Sequence, residues 1–523
     1  MTYASSVSSN EANTEKHTVS QKLKKMMENG RPQIKIAIDG AEDSWVMTYS
    51  TLDKIEGTVT ITSPRRTTVD SLRIDFVGIS RTIVEKLSTT SAVSGKTEAT
   101  HQFLKLSQPI PESAWATGRV LEANKTYNFR FTFVIPQQLL SRICRHDVSS
   151  STVQQEHLTL PPSFGDQSIS GRGNTLLDDF APNMARIRYA IVAELQESDS
   201  NGTSSEPIVK AKKVRILPAI DEKPPLTVDN DADYRLRCEK DIRKGILKSR
   251  LGHLVVEAAQ PRALRVRSHL SSATVPDASV ATLNLRFDPV DAHAQPPKLS
   301  NLSTKFKITS FYASCARARL PSRHDMAWDY TQGVHNESIS LASRCVTNVE
   351  WTLHAPSRAS SPDLDRRSST CSSTTSSFER PIPEPSRKYN GGAFYTAQIL
   401  VPISLPENKA WIPTFHTCLV SRTYALGVHL GVASGTLGGV DLKVPVQISS
   451  EGNPEAVKRR EEAGGEMEME MEMGEVGYEA LEAEEWFLPR RTGAMGSVGS
   501  AGGESPPEYD AFPRAGTRVG VLV

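Results

Sequence analysis

Net charge is nearly absent from this chain: 61 Lys and Arg stand against 60 Asp and Glu, which argues against a chain-wide electrostatic footprint for nucleic acid or acidic membranes. Clustered cysteine is absent too. Cys144, Cys238, Cys315, Cys345, Cys371 and Cys418 lie far apart with no C-x-x-C, so they read as buried or incidental thiols in a reducing compartment. No apolar run approaches the ~20 residues that span a bilayer, and the N-terminus MTYASSVSSNEANTEKH lacks an apolar core, so no secretory signal is expected. The motifs H-E-x-x-H and G-x-S-x-G are missing. Gly95-Lys96-Thr97 ends like a phosphate-binding loop, but Thr90 stands where the first glycine belongs, and the flanks read as a hairpin loop. These absences point to a soluble, cytoplasmic, non-enzymatic protein with no cofactor and no nucleic-acid partner.

What is present is period-2 alternation. Tyr127, Phe129, Phe131 and Phe133 alternate with Asn128, Arg130 and Thr132, and Ile187, Tyr189, Ile191, Ala193 and Leu195 alternate with Arg186, Arg188 and Glu194. Each run has the signature of a strand with one buried and one wet face. The loop between them is too long for a hairpin and is punctuated by Pro136, Pro161, Pro162 and Pro182, which predicts partners in an all-β sandwich. Further strands are expected around Ile34 to Ile38, Ile55 to Ile61, Leu72 to Gly78 and Val214 to Ile216, closing a first domain over 31–218.

Residues 219–250 read as a charged linker. An acidic cluster (Asp229, Asp231, Asp233) precedes a basic one containing Arg235, Arg237, Arg243, Lys244, Lys248 and Arg250, which is either solvated linker or a site for phosphate or anionic lipid. A second all-β domain is expected over 251–450, with strands at Leu283 to Phe287, Val349 to Leu353, Tyr424 to Val432 and Val440 to Ile448. A flexible hairpin through Ser434-Gly435 and Gly438-Gly439 connects the last two.

Three segments lack core patterning. Residues 1–30 form either a frayed tail or a short amphipathic helix carrying Val19, Leu23, Met26 and Met27 at a membrane surface. The Ser-, Thr- and Pro-rich insertion 355–388 is expected to be disordered, and Ser368 and Ser369 after Arg366-Arg367 resemble a target of basic-directed kinases. The tail 451–523 is acidic, then Gly- and Ser-rich, and holds Pro506-Pro507-Glu508-Tyr509. Two prolines pre-set a polyproline II backbone and the tyrosine adds an anchor with a polar tip, the ligand pattern of WW domains. Pro161-Pro162-Ser163-Phe164 lacks that tyrosine and reads as structural. Asp178-Asp179 reads as solvating its loop rather than binding metal. His146 and His157, with Cys144 nearby, match no zinc-ligand spacing, so no metal is expected there.

The blocks YSTLDKIEGTVTI, LRIDFVGISR, YNFRFTFVIP, LPPSFGD and RIRYAIVAEL, followed by FYTAQILVPISLP and WIPTFHTCLVSRTYAL, make the chain resemble fungal arrestin-like proteins over roughly 31–450. That resemblance implies two arrestin-type immunoglobulin-like β-sandwiches. Among arrestin relatives the α-arrestins carry PY motifs, which Pro506, Pro507 and Tyr509 match. The family's role implies an adaptor that brings a WW-domain HECT ubiquitin ligase to an integral membrane protein for ubiquitylation and endocytosis, with recruitment to the plasma membrane or endosomes and peripheral membrane contact. A single PPxY departs from the several that are common, and sacrifices the avidity of tandem sites. The alternatives are a trafficking scaffold that works without a ligase, and an enzyme or carbohydrate-binding protein on a β-sandwich. The last requires a cleft of converging acidic or aromatic groups that the sequence does not advertise.

Overall fold

Alternating burial begins in the first strand of the computed structural model, where Ile34, Ile36 and Ile38 point inward from Gln33–Ile38. The structure describes residues 30–453, apart from 41–45, 87–94, 116, 199–205, 227, 229–232, 244–249, 269–277, 327–328, 356–381 and 433–437. The described residues are all-β, with two short α-helices, at Ser151–Leu158 and Arg323–Met326.

Two layers enclose the first core. One is an antiparallel sheet of Gln33–Ile38, Lys54–Thr62 and Thr126–Val134, with Lys54–Thr62 in the middle. The other runs Thr48–Tyr49, Ile208–Ile216, Ala185–Glu197, Thr67–Lys86 and Gly95–Ser107. The two alternating runs that dominate the sequence therefore sit in opposite sheets and meet through their side chains rather than their backbones. Phe76, on the strand next to Tyr189, lies 5.9 Å from the rings of both Phe133 and Tyr189. A chain passing from one layer to the other has to wrap the edge of the sandwich, which accounts for the long connection. Each buried aromatic contributes roughly 1.5–3 kcal/mol. Phe131 also explains Gly57, since a Cβ at 57 would meet its ring and the Ala37 carbonyl.

A second core lies between the sheet of Arg237–Arg243, Arg250–Ala258, Ala278–Pro289, Phe394–Ser404 and Thr352–His354 and the sheet built on Leu299–Ala313 and Val420–Val432. Leu283, Leu285 and Phe287 are fully buried, as their alternation predicts, and so are Leu426 and Val444. Trp411 sits among Phe306, Tyr424 and Phe180, with ring centroids 5.4, 6.2 and 5.5 Å away.

Several expectations need correction. Arg237–Arg243 is a paired strand, not linker, because Cys238 and Ile242 give its inner face enough apolar surface to join the sheet. The strand expected from Val349 begins only at Thr352, and Leu353 is 59% exposed at the sheet edge. The hairpin expected around Gly95–Thr97 holds, with these residues opening its second strand, antiparallel to Thr67–Lys86, and Lys96 paired with Glu85 on that neighbouring strand. Residues 382–388, grouped by composition with the insertion expected to be disordered, are docked. Arg237 donates to the carbonyls of Glu384 and Pro385 at 3.1 and 2.8 Å, and the Ser386 amide donates to Asp288 at 2.8 Å.

Candidate functional site

The connection between Thr126–Val134 and Ala185–Glu197 carries most of the polar chemistry at the junction of the two cores. Its LPPSFGD segment is tied down first. The Tyr189 hydroxyl donates to the Pro161 carbonyl at 2.5 Å, and Phe164 exchanges two backbone hydrogen bonds with Ile187. Asp166 faces Arg188 and Lys213, each at 3.0 Å. Burial opposes its ionisation, but the Ser168 hydroxyl and these two cations outweigh it and hold the carboxyl below the usual range.

The following segment crosses to the second core. Asp179 is buried rather than solvated, which corrects the sequence expectation: its carboxylate accepts the amides of Gly165 (2.7 Å) and Ala181 (3.1 Å). Asp178 pairs with Lys409 at 3.0 Å, and its carbonyl accepts the Ala410 amide. Between them and the sheet, Phe180 adopts a positive φ of 57°, an uncommon conformation for a bulky residue. The ring is thereby driven into the second core, against Trp411. Arg422, fully buried, donates to the carbonyls of Asp179 (3.1 Å) and Phe180 (3.0 Å) and lies 4.8 Å over the Phe164 ring. Burial pushes the neighbouring Arg215 guanidinium down to about 10, against the pull of the Asp179 charge.

A second cluster lies on the same junction. Cys144 follows the short turn Ser141–Ile143, and His157 projects from the helix Ser151–Leu158, whose first turn is capped by Ser150 accepting the Val153 amide. Cys418 comes from the second half, in the turn between Phe415–His416 and Val420–Val432. Its backbone carbonyl accepts the Arg317 amide at 3.0 Å. The ligand-type atoms of Cys144, His146, His157 and Cys418 all lie within 4.8 Å of one another. Cys144 Sγ is 3.2 Å from His146 Nε2 and 3.5 Å from His157 Nδ1, and His146 Nε2 is 3.3 Å from Cys418 Sγ. Spacing along the chain argues against a site here because the fourth member is 272 residues from His146. Contact with Cys418, then with both histidines, pulls the Cys144 thiol down to about 3, while Cys144 and burial push Cys418 up. Burial pushes His101 down to about 4 and His416 to about 3, so both flank the cluster as neutral imidazoles.

The basic stretch is only partly available. Arg237 is engaged by Glu239 and Glu257, and Arg250 pairs with Asp241 at 3.1 Å. Arg235 exchanges backbone hydrogen bonds with Lys443, and Arg243 is exposed at its strand end. Lys244 and Lys248 lie outside the described residues, as do Ser368, Ser369, Pro506, Pro507 and Tyr509. Among the described residues no helix is long and apolar enough to cross a membrane. No protein-family model matches the chain, and no curated protein matches its sequence.

Proposed function

We propose that this chain is a non-enzymatic adaptor of the arrestin type, which recruits a WW-domain HECT ubiquitin ligase to an integral membrane protein for ubiquitylation and endocytosis. The observation that carries this reading is Pro506-Pro507-Glu508-Tyr509, which follows the two β cores in the sequence. A pre-extended proline pair docks in an aromatic groove with little entropy loss, so a short segment suffices to tether a partner. The all-β architecture agrees with two sandwiches of arrestin type, and a junction braced by Arg422 and Phe180 would present both to the membrane protein as one surface. Membrane contact falls to Arg235 and Arg243 with Lys244 and Lys248, since Arg237 and Arg250 already have carboxylate partners. Phosphorylation of Ser368 and Ser369 would add negative charge to the chain and tune that contact.

The test is a comparison of the cell-surface proteome in cells carrying the wild-type protein or Tyr509→Ala. The adaptor reading expects at least one integral membrane protein to lose ubiquitin and accumulate at the surface in the variant. An unchanged surface proteome would favour a scaffold that works without a ligase.

A further inference from the structure

We propose that Cys144, His146, His157 and Cys418 form a structural zinc site that clips the helical segment of the first β unit to the second. Three independent features of the cluster carry this.

The first is geometry. A tetrahedral zinc ion with bonds of about 2.3 Å to sulfur and about 2.0–2.1 Å to nitrogen sets its S···N edges near 3.6 Å and its S···S edge near 3.8 Å. The three S···N separations of 3.2, 3.5 and 3.3 Å lie within a few tenths of that edge, and no pair of ligand atoms exceeds 4.8 Å. The second is ligand chemistry. Two thiolates and two imidazoles in a tetrahedral set are soft to borderline donors that select zinc over calcium or magnesium. With zinc bound both sulfurs are thiolates, and any thiol proton displaced by the ion goes to solvent, so two thiolates balance the doubly charged ion and the buried site is neutral overall. The third is the outer partner of a ligand. The Nδ1 of His146 lies 3.1 Å from the Asp147 carbonyl. Donation there fixes the proton on Nδ1 and leaves the Nε2 lone pair facing both sulfurs, the arrangement typical of metal-bound histidine.

The site is closed as a structural site should be, with four protein ligands and no open position. Cys144, His157 and Cys418 are buried, while His146 is half-exposed and provides the route by which an ion enters. Zinc here would join the segment 144–157 to the turn at Cys418, parallel to the Arg422 and Phe180 contacts on the same junction.

The test uses untagged full-length protein purified in reductant. Elemental analysis should find about one zinc per chain. Replacement by cobalt should produce the strong visible bands of a tetrahedral ion together with thiolate-to-cobalt charge transfer. Cys418→Ser and His146→Ala should each reduce bound zinc at least about tenfold. Should the variants fold poorly, the wild type still decides the matter: chelation should lower its thermal midpoint and added zinc should restore it. Zinc at background levels without cobalt charge transfer would overturn the proposal. So would a Cys144–Cys418 disulfide persisting in reductant, which would assign the pair to covalent cross-linking instead.

Discussion

Arg422 shows how much one side chain holds. Its guanidinium is fully buried and donates to two carbonyls of the crossing loop, so Arg422→Met would leave both acceptors dry and unpaired. We expect a loss of about 3 kcal/mol in denaturant unfolding. Lysine should not rescue it, because a single ammonium lacks the planar fork that spans both carbonyls. Asp166 gives a pH-dependent counterpart. Its folded pKa is depressed, so its contribution is fully present above the ordinary carboxylate pKa and is lost as pH falls through the lower folded value. Asp166→Asn should therefore flatten the acid limb of a stability-against-pH curve while leaving its slope near neutrality unchanged. Val428 faces the second core, and Val428→Asp would bury an unpaired charge at a cost of about 3 kcal/mol or more.

At the scale of elements, the strands were legible and the connections were not. Alternation at Tyr127 to Phe133, Ile187 to Leu195 and Tyr424 to Leu430 marks buried faces correctly because sheet geometry repeats every two residues and needs no knowledge of partners. The junction depends on contacts across long separations, which no local period encodes. One signal was nevertheless present. Arg422 shares the inward parity of Val420, Tyr424 and Leu426, and a charge at an inward position announces a buried polar partner. Phe180 between two carboxylates and a proline is a weaker hint that a loop carries a core residue. Because Phe180 and Arg422 hold the same segment, their losses should not add. Phe180→Ala alone should cost about 3 kcal/mol or more, and the double variant with Arg422→Met should fall short of the sum by about 1 kcal/mol in a double-mutant cycle.

Across the whole molecule, the crossing loop, the Cys144 to His157 segment and the turn at Cys418 bring both β units to one interface. An adaptor gains from such bracing, since the two units then face a partner as one joined surface. The proposed role rests most directly on the proline-tyrosine motif. The measurement that tests it is the affinity of purified full-length protein for the tandem WW domains of a HECT ligase, wild type beside Tyr509→Ala. The account predicts saturable binding by the wild type and at least about tenfold weaker binding by the variant, a difference of about 1.4 kcal/mol. Equal affinity for the two proteins, or no binding by either, would contradict it.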